Sequence, residues 1–188
     1  MGKQVLGISG SPIKNSNTDR LIKAVLARTG CDTEFIKLSQ INVRPCIGCK
    51  RCVTDNICKV EDDFPALSLK IQNARAIVIG AYTPYGQIDG FTKALLERFW
   101  SLRHVNQSLA MELVNYEHME LLDQIIVPGN LPCLSCGKGD QCSQSGVSLM
   151  YGREAKTFDY GYFRVEDQSK IWDRAIDLGR TIERRLSA

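Results

Sequence analysis

Apolar positions along the chain switch repeatedly between a strand pattern and a helix pattern. Residues 5–9 are a short apolar run closed by a Gly/Ser/Pro turn, which predicts a buried strand. Leu21, Ile22, Val25 and Leu26 then recur at helical spacing, with Asn17 or Thr18 placed to cap the helix and Gly30 to end it. Residues 33–38 predict a second strand around Phe35 and Ile36, and a cysteine-rich loop follows. Asp62 or Asp63 opens the next helix, with Pro65 tolerated in its first turn and Leu67, Leu69 and Ile71 beyond. Residues 76–80 are wholly apolar, as in the centre of a parallel sheet. An amphipathic stretch 91–103 carries Ala94, Leu95, Phe99 and Trp100 on one side. A helix over 108–122, a strand over 124–128 and a closing helix marked by Ile171, Ala175, Leu178, Ile182 and Leu186 complete the pattern.

Strand and helix alternate, which predicts a doubly wound parallel sheet in a three-layer α/β/α arrangement. Such a sheet binds its ligand beyond the carboxyl ends of the strands, at the switch point beside the first one. A five-strand order 2-1-3-4-5 requires a strand between the helices 91–103 and 108–122, and none is visible there. Either a segment is missing around Gln107 and Ser108, or the sheet has four strands. The chain reads as one domain, 1–188, with a cysteine loop at 44–60 and an insertion at 131–167.

Composition removes several functions. A net charge of +3, evenly spread, argues against nucleic-acid and membrane partners. No apolar run approaches the ~20 residues of a membrane span. The predicted first strand begins almost at Met1, which leaves no room for a signal peptide, and Leu6 stands where a myristoylation signal needs Ser or Thr. The expected location is the cytoplasm. In a reducing compartment, eight cysteines point to metal binding or redox chemistry rather than disulfides.

The turn after the first strand reads Gly-Ile-Ser-Gly-Ser-Pro-Ile-Lys-Asn-Ser-Asn-Thr over residues 7–18. It is neither a Walker loop nor Gly-x-Gly-x-x-Gly. Its hydroxyls, its amides and the following helix N-terminus suit a phosphate, with Lys14 at the rim; the same residue types also make a plain capping turn. This stretch resembles the FMN phosphate loop of the NADPH-dependent FMN reductase family, which has the flavodoxin-like fold. The stretch from Gly80 through Gly86 and Gly90 to Lys93 is similar to the loop that lies against the isoalloxazine in that family. Here Tyr82 and Pro84 stand where the family usually has Pro and then Tyr. The resemblance implies FMN contacts from Ser9, Ser11, Lys14, Ser16, Asn17 and Thr18, and from Ala81, Tyr82, Thr83, Pro84, Tyr85 and Gly86.

Cys46, Cys49, Cys52 and Cys58 are spaced C-x2-C-x2-C-x5-C. Such compact runs hold iron–sulfur clusters, while zinc also takes four thiolates but more often from two separated pairs. The position of the run, after the second strand of an FMN domain, resembles the iron–sulfur flavoproteins. That group implies a [4Fe–4S] cluster near FMN and a homodimer or homotetramer. Cys133, Cys136 and Cys142 repeat the C-x2-C-x5-C part; they suit a second cluster with Asp140 or a partner group as fourth ligand, a zinc site, or a redox dithiol at Cys133 and Cys136. Cys31 reads as a buried small hydrophobe, and His104 and His118 as surface or packing residues.

Three functions remain. One is an iron–sulfur flavoprotein linking a one-electron carrier such as ferredoxin to a two-electron acceptor. The second is an NAD(P)H-dependent reductase or dehydrogenase of a small organic molecule such as a quinone. The third is a non-catalytic electron carrier with structural zinc. No Ser-His-Asp arrangement or carboxylate pair competes with these.

Overall fold

The computed structural model of the chain describes residues 4–84, 87–102 and 165–187. Three strands, β1 (Gln4–Ser9), β2 (Asp32–Lys37) and β3 (Ala76–Gly80), form a parallel sheet of order β2-β1-β3. The register pairs Val5 with Thr33 on one side and with Ala76 on the other, so the loops after all three strands leave one edge of the sheet. The expected strand and helix beyond residue 102, and the insertion 131–167 up to residue 164, lie outside the described residues. Chain contacts divide the protein into two units, Met1–Gln124 with Trp172–Ala188, and Ile125–Ile171. The second is described only from its 3-10 turn, Val165–Asp167, onward.

The helices are α1 (Asn17–Leu26), α2 (Phe64–Asn73), α3 (Gly90–Arg98) and α4 (Ser169–Ser187). The period-2 alternation of β1 assigns them to two faces. Leu6 and Ile8 enter one core with Phe64, Leu67 and Ile71 of α2, Leu95 of α3, and Leu38 and Leu102. On the opposite face a Cβ at Gly7 would strike Ile22 and Leu26 of α1, so that glycine sets how closely α1 seats on the sheet. α4 packs against α1 through Gly179, beside the Val25 carbonyl. Arg20 of α1 stacks 5.9 Å from the Trp172 ring centre. The three layers follow from these contacts. β3 is only partly buried, with Ile79 36% exposed; of the described strands, β1 is the central one. Among the described residues, no helix is long and apolar enough to cross a membrane.

Local chemistry moves the start of α1 by one residue from the sequence pattern and puts that of α2 at Asp63, as expected. Ser16, rather than Asn17 or Thr18, caps α1, because Ser16 is the extended residue immediately before the first turn. Its hydroxyl accepts from the Asp19 N–H at 3.1 Å, and its N–H donates to the Asp19 carboxylate at 3.1 Å, a reciprocal capping box. At α2 the carboxylate of Asp63, at the cap position, is drawn away to the Asn42 N–H (2.6 Å), while Asp62 accepts from the Phe64 N–H at 3.0 Å. The expected helix 91–103 is α3 followed by a 3-10 turn, Phe99–Leu102.

The Asp19 carboxylate is 2% exposed and holds the first layer together. It accepts the Ser9 hydroxyl at 2.6 Å and the Lys37 ammonium at 2.6 Å, in addition to the Ser16 N–H. Burial alone would raise its pKa; the bonds from Lys37, Ser9 and Ser16 outweigh this and hold it below the ordinary carboxylate value. A carboxyl depressed in this way stabilises the fold fully above its unfolded pKa of about 4, and the contribution is lost as pH falls through the folded value. Asp19→Asn leaves the Lys37 ammonium buried without its counter-charge. We expect a loss of about 3 kcal/mol in urea unfolding at pH 7, and a flatter decline in stability below pH 4 than in the wild type.

Candidate functional site

The loop after β1 is built around that carboxylate. The Ser9 hydroxyl donates to Asp19 and so serves the loop's own frame, while the Ser16 oxygen accepts the cap bond and keeps its O–H to donate. Ser11 is fully buried; its oxygen accepts from the Ile13 N–H at 3.3 Å, which leaves its O–H to donate. Asn15 turns the chain at φ +52°, a conformation asparagine tolerates, and delivers it to the α1 cap. The N–H groups of Asn17 and Thr18 have no acceptor within the helix, as in any first turn, and the positive helix end lies with them. Lys14 is exposed beside this turn. Ser11, the two helix amides and Lys14 form a donor set that suits a phosphate. The Lys37 ammonium, which also donates to the Ile13 carbonyl at 2.8 Å, anchors the loop to the end of β2.

The loop after β3 is fastened to the first. The Gly10 N–H donates to the Gly80 carbonyl at 2.9 Å. A Cβ at Gly10 would collide with Thr92 and Asp89, so only glycine lets the first loop approach the start of α3. Asp89 caps α3 by accepting from the Thr92 N–H (2.8 Å) and hydroxyl (2.7 Å). The same carboxylate accepts the Tyr82 N–H at 2.9 Å, and the Asp89 N–H returns to the Tyr82 carbonyl at 2.8 Å. This ring draws residues 82–89 into a closed loop. The end of β3 and Asp89 therefore stand beside Gly10, and Tyr82, on the loop between them, is 39% exposed. Tyr85 and Gly86 lie outside the described residues.

The third element is the cysteine loop between β2 and α2. Its base is stapled by the Asp63 N–H to the Asn42 carbonyl (2.9 Å) and by the Arg44 N–H to Asp62 (2.9 Å). Within it, the Asn56 N–H reaches the Cys52 carbonyl at 2.9 Å, and Gly48, Lys50 and Asn56 take left-handed backbone angles that turn the chain tightly. The Gly48 N–H points at the Cys46 sulfur at 3.5 Å. Cys52 is buried, Cys46 and Cys58 partly so, and Cys49 is exposed; none is in a disulfide.

All four cysteines line one pocket, together with Arg98 and Trp100. Among the described residues, no three His, Cys, Asp or Glu side chains are already gathered in metal-ligating geometry. Four soft sulfurs line the pocket, with a backbone N–H directed at one of them and a buried cation among the same lining residues, a donor set that suits thiolate ligation. Burial pushes the Cys52 thiol up, whereas the Arg51 backbone N–H and then its side chain hold the Cys49 thiol down.

Arg98 closes this pocket from α3. Its side chain and that of Asp62 are fully buried, paired through two bonds of 2.5 Å and 3.0 Å. Arg98 also donates to the Arg44 carbonyl at 2.9 Å and lies 4.5 Å over the Phe64 ring. Burial opposes the charge of both partners, but the Arg98 fork and two backbone N–H groups hold Asp62 below the ordinary carboxylate value. α3 thus fastens the second loop at its start and the cysteine loop at its end.

Sequence reasoning missed Asp19, Lys37, Asp62, Asp89 and Arg98, the charged residues that hold the three loops. Two signals were present. Ser16-x-x-Asp19 has capping-box spacing, and Lys37 interrupts an otherwise apolar strand end. Cys133, Cys136 and Cys142 lie outside the described residues.

Comparison with known proteins agrees with this geometry. The family model described as NADPH-dependent FMN reductase matches residues 4–141. An iron–sulfur flavoprotein of Methanocaldococcus jannaschii is 36% identical over 103 residues, covering 53% of this chain and 53% of that protein. One from Methanosarcina thermophila is 32% identical over 109 residues, covering 56% and 57%, and one from Archaeoglobus fulgidus is 34% identical over 109 residues, covering 56% and 53%. The chain therefore spans about half the length of the curated relatives it matches. A solved flavone reductase superposes with a TM-score of 0.53 at 16% identity, over 98% of this chain and 63% of that one, and supports the flavodoxin-like α/β fold. The match over residues 4–141, more than half of the sequence, establishes that the chain belongs to the NADPH-dependent FMN reductase family.

Proposed function

We propose that this protein is an FMN-dependent iron–sulfur oxidoreductase that moves electrons between a one-electron carrier, such as a ferredoxin, and a two-electron acceptor. The observation that carries this reading is the pocket lined by Cys46, Cys49, Cys52 and Cys58, on a loop leaving the same sheet edge as the loop after β1. The named relatives are iron–sulfur flavoproteins, and the matched regions cover about half of each, which supports the same assignment. FMN exchanges electrons singly or in pairs and a [4Fe–4S] cluster exchanges one, so the two together suit a one-to-two-electron interface.

Each residue has a part in this reading. Ser11, the Asn17 and Thr18 amides and Lys14 hold the FMN phosphate, while Asp19 and Lys37 keep that loop in shape. Ala81, Tyr82, Thr83 and Pro84 would line the flavin ring, on the loop closed by Asp89. The four cysteines hold the cluster, and burial of Cys52 with Val60 beside it excludes water from one wall. Lys50 and Arg51 on the exposed side of that loop suit an acidic carrier. A homodimer or homotetramer belongs to the same proposal.

Two substitutions separate the cofactors. Cys49→Ser is expected to remove most of the iron while leaving FMN bound, as measured by metal analysis and flavin absorbance on one sample. Gly10→Ala, which forces the first loop away from Asp89 and Thr92, is expected to weaken FMN binding at least tenfold with iron retained. Loss of both cofactors in either variant would contradict two separately held groups.

A further inference from the structure

The Arg98 guanidinium is not used up by the contacts that hold it. Of its five N–H bonds, the two on Nη1 serve Asp62 and the Arg44 carbonyl, and one on Nη2 serves Asp62. Its Nε is buried and has no hydrogen-bond partner. A buried N–H without an acceptor is unfavourable, so an acceptor is expected where the side chain borders open space. Arg98 is 1% exposed, and the space it borders is the four-cysteine pocket. With Nη1 and Nη2 turned end-on to Asp62, the unpartnered Nε–H shares the other edge of the guanidinium with one Nη2–H. This fork suits a soft anionic acceptor such as a metal-bound sulfur. Cys58 lines this pocket with Arg98, and its side chain is within hydrogen-bonding reach of the guanidinium.

We propose that Arg98 is the positioning residue of the cysteine site and sets its reduction potential, its Nε–H donating to a sulfur at or beside Cys58 when the site is loaded. The inference rests on the iron–sulfur reading given above. Reduction adds negative charge to the sulfurs, so a buried donor directed at them favours the reduced form and raises the potential. Asp62 acts behind it: the carboxylate fixes the guanidinium plane and offsets its charge, which leaves the directed N–H as the distinctive contribution. Trp100, half exposed, lines the same pocket.

The test compares the wild type with two variants, Arg98→Lys and the uncharged pair Arg98→Gln with Asp62→Asn, each purified anaerobically with its cofactors. Arg98→Lys keeps a cation for Asp62 but has no Nε–H; the double variant leaves no unpaired buried charge and so guards against simple unfolding. Iron and FMN per chain are measured first, and the cluster's midpoint potential is then followed by electron paramagnetic resonance. The expected result is near-wild-type iron in at least one variant, with its midpoint potential shifted to more negative values. An unchanged potential at equal iron content overturns the proposal and leaves the iron–sulfur reading intact. Loss of iron from both variants with FMN retained overturns it in favour of a purely architectural Arg98. A wild type that holds no iron overturns both.

Discussion

The fold around the site depends on one buried carboxylate. Asp19 receives a hydroxyl from the end of β1, an ammonium from the end of β2 and an amide from the loop between β1 and α1. An isolated ionised carboxylate at 2% exposure would be strongly disfavoured, and its cost is met only when all three donors are in place. The requirement works as a constraint on shape. The first loop cannot take another path without abandoning the charge, so the Ser11 hydroxyl and the first amides of α1 are held in position before any ligand arrives.

A second constraint joins this loop to the cysteines. α3 has nine residues, about 13 Å of helix, and each end fastens a loop with a charged side chain. Asp89 at its start closes residues 82–89 and meets Gly10, while Arg98 at its end holds Asp62 and the Arg44 carbonyl at the base of the cysteine loop. The two regions assigned to FMN and to metal are therefore parts of one packed unit. Leu95, midway along α3, sits in the core with Leu6 and Ile8 of the central strand.

The alternation of the described elements and the grouping of the cysteines were legible in the sequence because they rest on periodicity and spacing, which are local. The order of the first three strands came from the doubly wound topology that the alternation and the family resemblance implied. The charged residues that organise the loops were not legible. Asp62 and Arg98 are 36 positions apart and Asp19 and Lys37 are 18 apart, and no local pattern pairs them. Arg98 in particular reads as a solvated helix residue, since arginine seldom enters a core unless a carboxylate awaits it. Ser9 illustrates the reverse case. Its hydroxyl reads as a phosphate donor, and the structure spends it on Asp19. Spacing leaves iron and zinc open, and the proposal takes iron because the matched relatives are named iron–sulfur flavoproteins.

The central claim is that four thiolates hold an iron–sulfur cluster in the same folded unit that holds FMN. Iron, zinc and FMN content per chain, determined on protein purified without oxygen, tests it most directly. The account predicts one FMN and at least about four irons per chain, with zinc absent. Zinc in place of iron, or FMN with no metal, would contradict it.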